Sequence, residues 1–358
     1  MTLLQRLFGG TVQSQILRPF ERILVVRQHN QLGDMICAVP MLRCLRNAFP
    51  RAHITLVASP VNYDVMRNHR CLDDVVEFRK TDYTGVAGLS RVIRMISNLR
   101  SKKFDLAIVP ATVSISFTSD LIALLSGATM RRGARSLEGK DSASSAFFNS
   151  PVVLNWKNDP HRHQTLRNMD MLEGICPAQN DLSPEITLTD AERKEGRKFV
   201  QQMVTGQPVV AFHPGAGKVP NRWPSERFAQ VAKSLHESAG ARILIVEGPM
   251  DEEPAGRMRD AIEVPYQMVS GKPVREVAAI LSAVNVAIVN DTGIMHVAAA
   301  VGTPVLSLFG PTDPEQWAPI DGKSRYIKGR SNDINTIEVE AVLSIAHEML
   351  KQNQSHNK

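Results

Sequence analysis

One pattern constrains this chain more than any other: short β-branched apolar runs alternate with amphipathic helical stretches, and the whole alternation occurs twice. In the first half the candidate strands are "ILVVRQ" (23–28), "HITLVAS" (53–59), "VVEF" (75–78) and "LAIVPA" (106–111), with helical periodicity over 38–48 and 86–101. A polar, proline-marked stretch at 177–186 follows, and the alternation restarts with strands at 208–214, 241–248, 286–291 and 304–310 and helices at 224–238, 273–283 and 294–301. Strands that are apolar throughout need cover on both faces, and crossover helices supply it, so each half reads as a parallel sheet between helices. Two such domains joined by a linker enclose a cleft, and open α/β sheets bind ligands beyond the carboxyl ends of their strands. Function is expected between the halves. The last helical stretch, 336–351, packs on one domain or crosses back to the other.

A chain of 358 residues with 43% hydrophobic content can bury two cores of common size. Its net charge of +6 is uneven: residues 1–180 carry 23 Lys and Arg against 14 Asp and Glu, or +9, and the remainder carries 19 against 22, or −3. A basic half points to an anionic partner, although solvated basic faces produce the same count. Cys37, Cys44, Cys71 and Cys176 form no CxxC pair and match no histidine spacing, which argues against a zinc site or a disulfide framework and for reduced, cytosolic thiols. No signal peptide and no apolar run long enough to cross a bilayer is visible, so a soluble, cytoplasmic protein is expected. Leu3, Leu4, Leu7, Phe8, Val12, Ile16 and Phe20 share an approximate helical stripe, with Arg6, Arg18 and Arg22 outside it. Such a stripe either packs on its own domain or rests on anionic lipid, a peripheral contact with the inner membrane.

Three segments carry candidate chemistry. In "FHPGAGKVPNRWPSERF" (212–228) a strand containing His213 runs into Gly215, Ala216 and Gly217, whose amides can face an anion beside Lys218 and Arg222. The Walker ending is missing, and no GxGxxG follows the first strand of either domain, which disfavours a nicotinamide dehydrogenase. In "VNDTGIMHVAAAVGTPVLSLFGPTDPEQW" (289–317) a buried strand ends at Asn290 and Asp291, and Thr292 and Gly293 open a helix whose free amides and positive dipole end suit a diphosphate. Asp291 is then either a helix cap or an acceptor of sugar hydroxyls, and His296 is either a core histidine or a donor to the same anion. In "LGDMICAVP" (32–40) Gly33 makes a turn and Asp34 caps a helix; alternatively Asp34, at the carboxyl end of the first strand, faces the cleft as a general base.

Together these segments resemble glycosyltransferase family 9, the ADP-heptose lipopolysaccharide heptosyltransferases, from about residue 22 to about residue 320. The markers are "ILVVRQHNQLGDMICAVPMLRCLRNAFP", "HPGAGKVPNRWPSERFA", the block from "GKPVREVAAIL" to "PTDPEQW", and a basic middle around "TMRRGAR". The resemblance implies a GT-B architecture: two Rossmann-like parallel-sheet domains facing a central cleft, the acceptor domain at 1–178, a linker region at 179–206, the nucleotide-sugar domain at 207–335 and a C-terminal helix and tail at 336–358. It also implies transfer of heptose from an ADP-sugar, a co-substrate and not a cofactor, to the lipopolysaccharide inner core with anomeric inversion. Asp34 matches the family's catalytic base, Asp291, Thr292, Gly293 and His296 its donor-site motif, and 213–222 its phosphate loop. One departure stands out. Where relatives carry lysine before Arg/His-Trp-Pro, this chain has Asn221, so Lys218 or Arg222 is expected to substitute.

Glu247, Asp251 and Glu252 all remain candidates for the ribose hydroxyls. An anionic, lipid-linked saccharide acceptor is expected to meet Arg131, Arg132, Arg135 and Lys140, with Lys102 and Lys103 weaker candidates, and no nucleic-acid partner is expected. Amides at 215–217 and 292–293 with Lys218 and Arg222 would stabilise the departing diphosphate, so no metal requirement is expected. Two alternatives share the architecture: a nucleotide-sugar 2-epimerase, which acts on donor alone, and a non-catalytic assembly factor that binds nucleotide or glycolipid without transfer.

Overall fold

The computed structural model describes residues 20–83, 85–177, 179–203 and 206–356. Apart from Phe20, the apolar residues of the N-terminal stripe lie outside the described residues. The first domain is built on β1 (Arg22–Arg27), β2 (His53–Ala58), β3 (Asp74–Glu77), β4 (Leu106–Ile108), β5 (Met130–Leu137), β6 (Lys140–Asp141) and β7 (Ser150–Leu154). The strands lie in the order β3-β2-β1-β4-β5-β6, with β7 also beside β5. Only the β5–β6 pairing is antiparallel among the described strands. Its helices are α1 (Leu32–Cys37), α2 (Val39–Ala48), α3 (Pro60–Met66), α4 (Gly85–Ser101), α5 (Phe117–Leu125) and α6 (Gln164–Asp170).

A further helix, α7 (Asp190–Met203), occupies much of the expected linker. The second sheet comprises β8 (Val209–His213), β9 (Arg242–Val246), β10 (Tyr266–Val269), β11 (Val286–Asn290), β12 (Val305–Phe309) and β13 (Arg325–Lys328), ordered β10-β9-β8-β11-β12-β13 and parallel throughout. Helices α8 (Ser225–Ala239), α9 (Glu252–Ala261), α10 (Val274–Leu281), α11 (Gly293–Ala300), α12 (Pro314–Trp317) and α13 (Val339–His356) cover it. The final helix packs on α8 of its own domain. Among the described residues no helix is long and apolar enough to cross a membrane.

Strand order locates the cleft. In each sheet the chain reverses its direction of growth beside the first strand, between β1 and β4 and between β8 and β11. Loops leaving the two strands diverge there, opening a crevice at their carboxyl ends. Asp34 follows β1 and Thr112 follows β4; Gly215–Lys218 follow β8 and Asp291–Gly293 follow β11.

Arg275 fixes how the domains meet. This α10 side chain is 2% exposed, and all five of its N–H donors are used. Nε and Nη2 grip Glu192 of α7 at 2.6 Å each, Nη2 also reaches the Thr187 carbonyl at 2.9 Å, and Nη1 donates to the Asp64 and Arg67 carbonyls at 3.2 and 3.1 Å. Those last two carbonyls end α3 of the first domain, where a helix has unpaired acceptors and the negative end of its dipole. Arg43 holds the preceding segment similarly, through Asp181, Ser183 and Glu185.

Arg275→Met should destabilise the protein by roughly 2–4 kcal/mol in urea titration, because the half-buried Glu192 carboxylate and three carbonyls lose their donor together. Holding Glu192 in the ion pair lowers its pKa from 4.5 to about 2, the Arg275 hydrogen bond being the largest cause. Its contribution is therefore full above pH 4.5 and lost as pH falls toward about 2, so Glu192→Gln should flatten acid unfolding across that window.

Candidate active site

Asp34 does not cap its helix. Gln31 occupies the N-cap position of α1, and Asp34 lies inside the first turn. The expectation that Gly33 forms a turn is corrected in the same way, since Gly33 is helical and a Cβ there would come within 2.6 Å of His296 Cδ2. That histidine sits on α11 of the other domain. Reciprocally, a Cβ on Gly293 would come within 3.3 Å of Leu32 Cβ. The two helix starts cross closely, a Cβ at Gly33 colliding with His296 and one at Gly293 pressing on Leu32, and this places Asp34 near the Asp291–Gly293 turn.

The cleft holds a cavity of about 220 Å³ lined by Arg27, His29, Asp34, Thr112 and Ser114 of the first domain and by Lys218 and Trp317 of the second. Asp34 is 14% exposed, and its Oδ1 accepts from Arg27 Nη2 at 3.1 Å. Burial lowers the Arg27 pKa, and the Asp34 charge works against that shift. His29 is also held below its ordinary value, by burial first and then by the Arg27 charge.

On the donor side Lys218 reaches the cavity, but Arg222 is turned elsewhere. Its Nε donates to the Ala216 carbonyl at 2.9 Å and its Nη1 pairs with Glu253 at 3.4 Å, so Arg222 shapes the glycine loop where a direct phosphate contact was expected. A Cβ on Gly215 would come within 2.1 Å of the Asp251 carboxylate, and Asp251 in turn accepts from the Gly248 amide at 3.1 Å. His213, at the end of β8, is 1% exposed and donates through Nδ1 to the Val246 carbonyl at 2.9 Å; burial lowers its pKa against the opposing charge of Asp251. Asp251 thereby belongs to the loop's support. Glu247 stands just past the end of β9, accepting from Ser270 Oγ at 2.6 Å, and Glu252 is exposed on α9.

Asp291 accepts from Asn221 Nδ2 at 3.0 Å, and the same amide lies 3.0 Å from Thr312 Oγ1. Burial raises the Asp291 pKa, while the charges of Lys218 and Lys328 oppose the rise. Thr292 occupies the N-cap of α11 and makes no side-chain cap. His296 is corrected to a core residue: it is 4% exposed, packs edge-on to Trp317 at 6.3 Å, and lies 4.0 Å from Cys37 Sγ. Burial drives its pKa to about 3, so it is a neutral ring in the domain contact and not a cationic anion ligand. Burial and the Asp34 charge push the Cys37 thiol up to about 12.

Arg131 and Arg132 are also corrected. Their stretch is β5, where Arg131 donates to the Phe147 and Ala128 carbonyls at 2.8 Å each, and Arg132 donates to the Met171 and Glu173 carbonyls and to Ser150 Oγ. Both guanidinium groups fasten β5 to its surroundings, away from the cavity. Arg135 and Lys140 are exposed, and among the described residues neither lines the cleft cavity.

With this geometry in view, residues 92–343 match the family model described as glycosyltransferase family 9 (heptosyltransferase). The chain belongs to that family. It is 26% identical to lipopolysaccharide heptosyltransferase 2 of Escherichia coli (strain K12) over 86% of this chain and 88% of that one. Lipooligosaccharide heptosyltransferase 2 of Haemophilus influenzae is likewise 26% identical, over 83% of this chain and 86% of its own. Among solved structures, the fold is shared with the family 9 glycosyl transferase from Veillonella parvula DSM 2008, at a TM-score of 0.81 and 23% identity, covering 95% of this chain and 100% of that one. The protein is a glycosyltransferase of GT-B architecture.

For this family 9 transferase, sequence reasoning missed Arg27, His29 and Lys328. Arg27 carries a readable signal, a charge at the inner end of the apolar run Ile23–Val26. Lys328, on the edge strand β13, donates to the Gly310 and Thr312 carbonyls and is brought to Asp291 only by the sheet.

Gly33→Val should push His296 away and cost about 1–3 kcal/mol of stability, with turnover lost because both sides of the cleft shift. The depressed His296 pKa has a definite sign as well. From pH 6.5 down to about 3 the unfolded chain binds a proton there that the folded chain refuses, so stability falls with pH through that window. His296→Gln should weaken this acid sensitivity, as read by melting temperature against pH.

Proposed function

We propose that this protein transfers heptose from ADP-heptose to an anionic, lipid-linked saccharide of the lipopolysaccharide inner core, with inversion. The observation that carries the reading is Asp34 on the wall of a cavity that Lys218 enters from the opposite domain. The acceptor oxygen attacks the anomeric carbon and its proton passes to Asp34, while the bond from that carbon to the diphosphate oxygen breaks and the electron pair leaves with ADP. A positioned base of this kind is worth about 100- to 10,000-fold in rate.

Charge gathers on the departing diphosphate, and the groups assigned to it in this reading are Lys218, the 215–217 amides and the first amides of α11. These donors replace a metal's role, so turnover should persist in excess chelator. Lys218 takes the place of the family lysine, since Asn221 is spent on Asp291 and Thr312. Glu247 holds the ribose hydroxyls, because an acidic residue past the second strand of a Rossmann-like unit is placed for that contact. Asp291 accepts from sugar hydroxyls. Relatives named lipopolysaccharide or lipooligosaccharide heptosyltransferase 2, matching over most of the chain, support heptose as the transferred sugar and a lipopolysaccharide-type acceptor. A lipid-linked acceptor also calls for peripheral contact with the cytoplasmic face of the inner membrane.

Asp34→Asn should bind ADP normally and lose at least about 100-fold in turnover with ADP-heptose and a heptose-deficient core acceptor. Near-normal turnover would reduce Asp34 to a structural partner of Arg27. Lys218→Ala should weaken ADP binding about tenfold by calorimetry, roughly 1.4 kcal/mol, and an unchanged Kd would remove it from the diphosphate site.

A further inference from the structure

Arg27 ends β1, whose other buried residues are all apolar, yet its own side chain is only 3% exposed. Taking a guanidinium out of water is costly unless its donors are paired. Here Nη1 donates to Asn168 Oδ1 at 3.2 Å, Nη2 donates to Asp34 Oδ1 at 3.1 Å, and the buried Nε has no partner. Both contacts point along one line, from α6 through Arg27 to Asp34.

Asn168 is itself fixed. It is fully buried, and its Nδ2 donates to the Gln164 carbonyl at 2.8 Å, which orients the amide oxygen toward Arg27. The start of α6 is bolted to the second domain: His163 Nε2 donates to the Ala318 carbonyl at 2.9 Å, and Gln316 Nε2 donates to the Pro160 carbonyl at 2.8 Å. The support behind Arg27 is therefore anchored to both sides of the cleft.

We propose that Arg27 and Asn168 are positioning residues for the Asp34 carboxylate: Asn168 sets the direction of the guanidinium, and the guanidinium occupies Oδ1, so that Oδ2 is presented to the incoming hydroxyl. The inference rests on the reading of Asp34 as the base. Asn168 is fully buried and acts only through Arg27, and Arg27, which also borders the cavity, acts here through Asp34. A short acid residue with free torsions samples several orientations, and a base displaced by about 1 Å loses on the order of 100-fold in rate. A guanidinium that is always charged and planar restricts it better than lysine would.

The test compares single-turnover rates with ADP-heptose and a core acceptor, with ADP-induced melting shifts verifying that each variant is folded. Arg27→Ala should lose about 30- to 100-fold in kcat with donor KM changed by less than about threefold, and added guanidinium ion should restore part of the loss in Arg27→Ala but none in Asp34→Asn. Asn168→Ala should lose about tenfold in kcat, whereas Asn168→Asp, which keeps an acceptor for Arg27 but loses the donor to Gln164 that orients it, should show a smaller loss than Asn168→Ala. In an Asp34→Asn background, Arg27→Ala should add no further loss, because residues acting through one group are not additive. If Asp34→Asn is inactive while Arg27→Ala and Asn168→Ala keep normal kcat, the positioning role is wrong and the base assignment stands. If Asp34→Asn turns over normally, the base assignment falls and the positioning role falls with it. Additive losses in the double variant, or equal losses in Asn168→Ala and Asn168→Asp, would also overturn the proposal. Should Arg27→Ala not fold, the Asn168 pair decides the matter alone.

Discussion

The close crossing of two helix starts, α1 of the first domain over α11 of the second, is the contact on which the site depends. Gly33 accommodates the His296 ring and Gly293 accommodates Leu32, so neither helix can carry a Cβ at its crossing point without moving the other. Asp34 follows the first glycine and Asp291 and Thr292 precede the second. Sequence neighbours of the contact thus come close together from the two domains. The same crossing explains why a histidine is buried and neutral beside a place where anions are expected to bind: it is there for shape.

Buried arginines do the complementary work of setting orientation. Arg275 ties α10, α7 and the end of α3 with five hydrogen bonds, and Arg43 straps the interdomain segment to the first domain. Arg27 is the third, placed in the site itself. Each sits where carbonyl groups or carboxylates converge, which is what a planar five-donor group matches and an ammonium does not. The basic excess of the first domain is in part consumed this way. Arg131 and Arg132 hold β5 in place, and the charge count that suggested an anionic partner included them.

Much of the architecture was legible because it rests on local periodicity. The strands expected at 53–59 and 286–291 differ from β2 and β11 by one residue at one end, and the strands expected at 208–214 and 304–310 and the helix expected at 224–238 differ from β8, β12 and α8 by one residue at each end. What escaped notice lacked such periodicity. The β5 sequence "MRRGARSL" has no apolar alternation and becomes a strand because β4 and β7 pair with it. Helix α7 is mostly polar and reads as linker in the sequence, since its stabilising partner, α10, lies some 80 residues away in the chain.

For the site the division is similar. Asp34, the 215–218 loop and the 291–293 turn were identifiable from the sequence alone, because glycines and a carboxylate after a buried strand carry their chemistry locally. Which of the flanking cations face the cleft was not. Arg222 lies four residues from Lys218, yet only the folded loop sends one to the cavity and the other to the Ala216 carbonyl. Local sequence dictated the strands, the turns and the residue types at their ends through steric preference and hydrophobic period. Tertiary structure decided which polar atoms were already spent on one another, since hydrogen-bond partners drawn from distant segments exist only after the chain has folded.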